Sequence, residues 1–169
     1  ILWVLLAVYV KRNFGISESL YGWLPTTNAV LVLVLQLWVT KLVKPFAPLK
    51  ALGFGTLIYA FALGSVALGQ GFWAFWGSMV LFTIGEMILM PTSTTYTANL
   101  APADMRGRYM SIYSLTWGVA AGIGPVLGGF MSETLGPRSP WMGGMLIGLA
   151  SAAAFVLLAR RSSRVQDHR

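Results

Sequence analysis

Long stretches without a charged residue are the feature that most restricts the fold of this chain. No Asp, Glu, Lys or Arg occurs in residues 19–40, 51–85, 87–103, 109–132 or 139–159. A helix that spans a membrane needs about 20 mostly apolar residues. Because a soluble fold of 169 residues with a mean hydropathy of +0.70 could not bury so much apolar surface, the sequence predicts an all-α, polytopic membrane helix bundle. The same composition excludes a disordered chain, and the absence of cysteine excludes a disulfide scaffold.

Loops that contain proline, glycine and charged residues separate the apolar stretches. The predicted crossings are 20–43, 51–68, 72–99, 109–131 and 141–159, preceded by a partial crossing at 1–10. Ten residues are too few to span a bilayer, so we interpret residues 1–10 as the end of a helix whose beginning is missing. The chain is then expected to be the C-terminal piece of a longer protein. Residues 1–161 form its predicted transmembrane bundle, and residues 162–169 form a polar cytoplasmic tail.

The basic residues predict how the bundle is oriented. Alternate loops lie on the same side, and one set holds nine basic residues against three in the other. The first set is Lys41, Lys44, Lys50, Arg106, Arg108, Arg160, Arg161, Arg164 and Arg169; the second is Lys11, Arg12 and Arg138. The positive-inside rule places the first set, including the loop residues Arg106 and Arg108, and the C-terminus in the cytoplasm of a bacterial cell, with the bundle in its inner membrane.

Because the basic residues cluster in the loops, we interpret the net charge of +7 as a signal for membrane topology and as a contact with anionic lipid. We expect no nucleic-acid partner. Tryptophans near the predicted outer helix ends are expected to be interfacial anchors. They are Trp23, Trp73, Trp76 and Trp141.

Glu86 is the first candidate for a functional residue. It lies in the middle of the crossing at 72–99, where a charged side chain costs roughly 2.5–3.5 kcal/mol on insertion scales. The side chain should therefore face the protein interior or a watery cavity. It is either a carboxylate that couples transport to protons or binds a cation, or a hydrogen-bonded structural acid that ties helices together.

Other polar and aromatic side chains are candidates for lining a substrate cavity. Met90 and Ser93 follow Glu86 at helical spacing on the same face. The remaining candidates, Asn28, Tyr113 and Trp117, lie on other crossings. Each has a structural alternative: a serine hydroxyl often bonds its own helix backbone, a buried amide needs a partner, and a tryptophan often packs in a core.

Small residues and prolines in the crossings predict either close helix packing or a hinge. Proline within a helix removes one backbone hydrogen bond, and spaced glycines let two backbones approach closely. The residues concerned are Pro91, Gly118, Gly122, Gly124, Pro125, Gly128 and Gly129. We also considered that the carbonyl freed by Pro91 binds substrate, although neighbouring groups usually accommodate such a carbonyl.

Motifs of enzyme chemistry do not occur in the sequence. It contains one histidine, His168, and no cysteine, metal-ligand spacing or phosphate-binding loop. We therefore expect no metal, no cofactor and no enzymatic activity.

Four short motifs carry a resemblance to a known family. They are residues 85–91 (GEMILMP), 98–102 (ANLAP), 106–110 (RGRYM) and 122–129 (GIGPVLGG). Together they resemble the major facilitator superfamily, and most of all its multidrug-type, proton-coupled efflux branch. The resemblance implies the C-terminal six-helix half of a twelve-helix fold, with the first helix truncated and the N-terminal half missing.

The resemblance also implies secondary active transport of a small solute by alternating access, coupled to protons as antiport. A facilitative or proton-symport carrier of the same superfamily remains an alternative. A channel, or a structural membrane protein without transport activity, would belong to another class. The substrate is not specified by these residues.

Overall fold

The computed structural model describes the backbone of residues 2–167 and the side chains of residues 2–161. Every regular element in this part of the chain is a helix, which confirms the all-α prediction. The helices are α1 (Leu2–Phe14), α2 (Glu18–Tyr21), α3 (Trp23–Val43), α4 (Pro48–Leu68), α5 (Phe72–Leu100), α6 (Arg106–Thr134) and α7 (Ser139–Asp167). Within the described residues, five segments are long and apolar enough to cross a membrane: Glu18–Val43, Pro48–Leu68, Phe72–Leu100, Arg106–Thr134 and Ser139–Arg161.

Four helices extend by two residues or more beyond the bounds that the sequence predicted: α1 at its end, α4 at its start, and α6 and α7 at both ends. α6 begins at Arg106, so that Arg106 and Arg108 lie in its first turn and not in a loop. Arginine is a good helix former, and the break introduced by Pro102 precedes this turn. α7 continues to Asp167, since residues 160–167 contain neither glycine nor proline. The predicted tail at 162–169 therefore begins as helix; its side chains, and residues 168–169 altogether, lie outside the described residues.

α4 packs closely against α5 and α7. A Cβ atom added at Gly85 would lie 3.1 Å from the carbonyl oxygen of Gly55, and one added at Gly148 would lie 2.7 Å from the Cβ of Ala60. Such distances require glycine, because any side chain would force the helices apart. In a membrane, where apolar burial does not drive helix association, this close backbone approach holds helices together.

Trp141 corrects one prediction from the sequence. Its side chain is 1% exposed, within an apolar cluster at one end of the bundle, so it is not a lipid-facing anchor. The ring centroid lies 5.4 Å from that of Tyr9 on α1. Trp23 and Trp73 are exposed, and for them the anchoring role stays a prediction.

The glycines of α6 lack the close packing that their spacing predicted. Added Cβ atoms at Gly118, Gly122 and Gly129 would meet no other atom of the described chain within 4 Å. An added Cβ at Gly128 would meet Leu5 of α1 and Pro140 of α7. The reason is that α6 touches the other helices along a small part of its length. A hinge at Pro125, which lies within continuous helix, stays a prediction.

Candidate functional site

The side chain of Glu86 is held by a residue of another helix. The Asn28 amide on α3 donates a hydrogen bond of 2.7 Å to the Oε2 atom of Glu86 on α5. The same amide nitrogen donates to the Oγ1 atom of Thr83 at 3.0 Å. Glu86 and Asn28 are half-buried, whereas Thr83 is fully buried. Two of the residues selected from the sequence, Asn28 and Glu86, therefore form one polar contact in the middle of the bundle.

Thr83 completes this contact and was not identified from the sequence. It precedes Glu86 by three residues on α5, so both side chains lie on the same face of that helix. Its hydroxyl donates to the carbonyl oxygen of Met79 at 2.8 Å, which leaves an oxygen lone pair for the Asn28 amide. The signal that could have identified Thr83 is this spacing.

Tyr59 of α4 forms an aromatic wall beside Glu86, and it too was missed. An added Cβ at Gly85 would lie 3.2 Å from the Tyr59 ring, so the glycine allows the ring to approach α5. The ring centroid lies 4.1 Å from that of Phe82. An aromatic ring of α4 therefore packs against α5 at Gly85, the residue that precedes Glu86.

Gln36 of α3 accommodates the break that Pro91 makes in α5. Proline has no N–H, so the carbonyl four residues earlier, that of Met87, loses its helical partner. The Gln36 amide donates to this oxygen at 3.0 Å and also to the Thr40 hydroxyl at 3.0 Å. The carbonyl freed by Pro91 is thus already occupied, and this geometry does not support a substrate contact there.

We expect Gln36→Met to destabilise the protein by about 1–3 kcal/mol, because it leaves the Met87 carbonyl oxygen without a donor. Pro91→Ala restores the backbone N–H. In the double variant the loss caused by Gln36→Met should therefore largely disappear. Melting temperatures of the purified full-length variants measure this coupling. An equal loss from Gln36→Met in the wild type and in the Pro91→Ala variant would contradict the pairing.

Ser93 and Tyr113 form a second polar contact, between α5 and α6. Their hydroxyl oxygens lie 2.8 Å apart, and the Ser93 hydroxyl also donates to the carbonyl oxygen of Leu89 at 2.7 Å. Trp117 packs edge-on to Tyr113 with ring centroids 6.4 Å apart, and its side chain is 45% exposed. Ser93 therefore makes both the backbone bond that was considered as an alternative and a bond to another helix.

The contact at Glu86 and the contact at Ser93 lie at separate positions along α5. Glu86 and Ser93 are about 10 Å apart along the axis of α5, at a rise of 1.5 Å per residue. Met90 lies between them and is half-buried. The sequence candidates consequently form two groups, one joining α3 to α5 and one joining α5 to α6, and not a single cluster.

Comparison with known proteins agrees with this architecture. Residues 1–168 match the model of the Major Facilitator Superfamily. The chain belongs to the major facilitator superfamily. Family membership and the five apolar helices show a multi-pass membrane protein of a transporter family. No solved structure matches the chain at a significant level.

Several relatives in this superfamily are similar over most of the chain. The chain is 30% identical to the uncharacterized MFS-type transporter YttB of Bacillus subtilis, over 92% of its own length and 40% of that protein. It is 29% identical to the multidrug resistance protein MdtH of Shigella boydii, over 95% of its length and 40% of that protein. A Na(+), Li(+), K(+)/H(+) antiporter of Planococcus maritimus is 26% identical over 70% of the chain and 28% of that protein. The chain thus spans two fifths or less of these relatives.

Proposed function

We propose that this chain is part of a proton-coupled antiporter that exports a small cationic solute, with Glu86 as the proton-binding group. The observation that carries the proposal is a carboxylate in the middle of α5, bound by an amide of another helix. An acid at such a depth is costly, and in membrane proteins it commonly marks an ion or proton pathway. The name of one relative, a Na(+), Li(+), K(+)/H(+) antiporter, supports a cationic solute and proton antiport, and the name of another, a multidrug resistance protein, supports a drug as the solute.

The geometry suggests how proton binding would affect the bundle. The ionised Glu86 is an acceptor only, and it accepts the Asn28 amide N–H. A protonated carboxyl group gains an O–H donor and loses its charge. The hydrogen bond from Asn28, which joins α3 to α5, is then made to a neutral group and no longer to a carboxylate. A proton or a cationic solute that binds one arrangement of the helices more tightly than the other shifts the population toward it. Alternating access requires this shift, and the half of the protein absent from this chain would supply the other wall of the cavity.

The proposed location is the inner membrane of a bacterial cell, with the C-terminus in the cytoplasm. The excess of basic residues at the end of the bundle that includes Lys44, Arg106 and Arg160 supports this orientation. A facilitative or symporting carrier is the second candidate. A structural role is the third, because the contact between Asn28 and Glu86 would also serve to join two helices.

A proton-release assay in membrane vesicles distinguishes these candidates. Everted vesicles from cells expressing the full-length protein are energised by respiration, and an acridine dye reports the proton gradient by quenching. We expect at least one of ethidium, Na⁺, Li⁺ or K⁺ to reverse the quenching, because antiport releases protons from the vesicle lumen. Vesicles without the protein are the control. Accelerated exchange of preloaded solute without a dye response would indicate a facilitative carrier, and neither response would indicate a structural role.

A further inference from the structure

Two apolar grooves flank one half of α4 on the surface of the bundle. The first has a volume of about 580 Å³ and lies between α3, α4 and α5, with Leu42 and Ile84 on its walls. The second has a volume of about 810 Å³ and lies between α4 and α7, with Leu57 and Val156 on its walls. Both grooves run beside α4, which is long and apolar enough to cross a membrane.

Lys50 and Phe54 of α4 line both grooves. They are four residues apart and therefore lie on the same face of the helix. Phe54 is 60% exposed, so its ring forms a ridge between the two grooves. Lys50 lies in the first turn of α4, at the end of the bundle where both grooves begin. Lys50 therefore places one positive charge at the end of both apolar grooves.

The described charged residues that line the two grooves are Lys50 and Arg160, and both are basic. Arg160 of α7 also lines the groove between α4 and α7. None of the described residues that line either groove is acidic. A basic group close to the membrane surface attracts anionic lipid. The head of the grooves is thus complementary to an anion, and the grooves themselves are complementary to hydrocarbon.

We propose that an anionic phospholipid binds at this surface. Its two acyl chains lie on either side of Phe54, one in each groove, and its phosphate lies at Lys50 and Arg160. A phospholipid is the membrane molecule that joins two apolar chains to a single anionic group, which is the pattern of this surface. A zwitterionic lipid would fill the same grooves but would bring an ammonium group toward the two cations. The proposal depends on the membrane location shown by the family and not on the transport activity.

Native mass spectrometry of the purified full-length protein tests this site. The probes are phosphatidylglycerol and phosphatidylethanolamine with identical acyl chains. The wild type should retain the anionic lipid preferentially, and Lys50→Gln should lower that retention about fivefold, the factor that corresponds to ~1 kcal/mol. Lys41→Gln is the matched control, because Lys41 is an exposed lysine of the same end that lines neither groove.

A second pair of variants tests the acyl-chain groove without a change in charge. Ala153→Phe fills the groove between α4 and α7 and should reduce retention of both lipids, whereas Ala154→Phe should not, because Ala154 is exposed but lies outside the groove. Equal retention of the two lipids by the wild type would overturn the proposal. Equal losses in Lys50→Gln and Lys41→Gln would also overturn it, since they would indicate general surface charge. So would equal retention in the two phenylalanine variants.

Discussion

Glu86→Gln should abolish proton-driven transport by the full-length protein while leaving its fold intact. Glutamine has nearly the shape of glutamate, and its carbonyl oxygen can still accept the Asn28 amide that now binds the carboxylate at 2.7 Å. It cannot bind or release a proton. The substitution therefore removes titration and keeps the tie between α3 and α5. The expected result is a dye response no larger than that of vesicles without the protein, with a melting temperature close to that of the wild type.

Two further variants separate coupling from structure. Glu86→Ala removes both the charge and the acceptor, so it should lower the melting temperature as well as transport. Glu133→Gln makes the same chemical change at a position near the end of α6, away from the contact with Asn28, and should leave transport unchanged. If Glu86→Gln retained full proton-driven transport, Glu86 would have no part in coupling. Its contact with Asn28 would then be structural, as the alternative interpretation holds.

The central position of Glu86 was predictable from the sequence because charge is scarce in this chain. One acid between long uncharged stretches fixes a depth in the membrane, and the structure places it in the middle of α5. Its partner on α3 was identified as a candidate because an amide within a crossing is also costly to leave unpaired. The pairing of Asn28 with Glu86 was not predictable, since it depends on how two helices are rotated about their axes.

The rotation of each helix about its own axis is difficult to predict from a sequence in which most residues are apolar. In a soluble helix, the polar face marks the side that meets water. In this bundle, side chains that meet lipid and side chains that meet other helices are both apolar: Leu33 is 84% exposed and Leu24 is fully buried on the same helix. For this reason the burial of Trp141 and the aromatic wall formed by Tyr59 could not be inferred.

Small residues illustrate the same limit. The glycine spacing of α6 predicted close packing, and Gly144 and Gly148 give α7 the same four-residue spacing. Gly144 and Gly148 of α7 lie against α4, whereas Gly118 and Gly122 of α6 meet no neighbour in the described residues. A glycine spacing of this kind indicates that a helix can approach another helix closely. It does not indicate which helix that is, because the neighbour depends on the topology of the whole bundle.

Gly148→Ala should destabilise the bundle, although it adds only one methyl group. The new methyl group would lie 2.7 Å from the Cβ and 3.1 Å from the Cα of Ala60, so α4 and α7 would have to separate. Overpacking of this kind costs about 1–3 kcal/mol. In contrast, Gly77→Ala adds a methyl group that meets no described atom within 4 Å, and it should be neutral or stabilising by up to ~1 kcal/mol through helix propensity.

The reciprocal exchange identifies the cause of the damage. Ala60→Gly removes the Cβ that the new methyl group would meet, so the double variant Ala60→Gly/Gly148→Ala should recover part of the stability lost by Gly148→Ala. The recovery is incomplete, because the Cα of Ala60 remains 3.1 Å away. Melting temperatures of the purified full-length variants measure the coupling. Residues in direct contact are energetically coupled. If the two losses were simply additive in the double variant, α4 and α7 would be packed less closely at this point than in the structure.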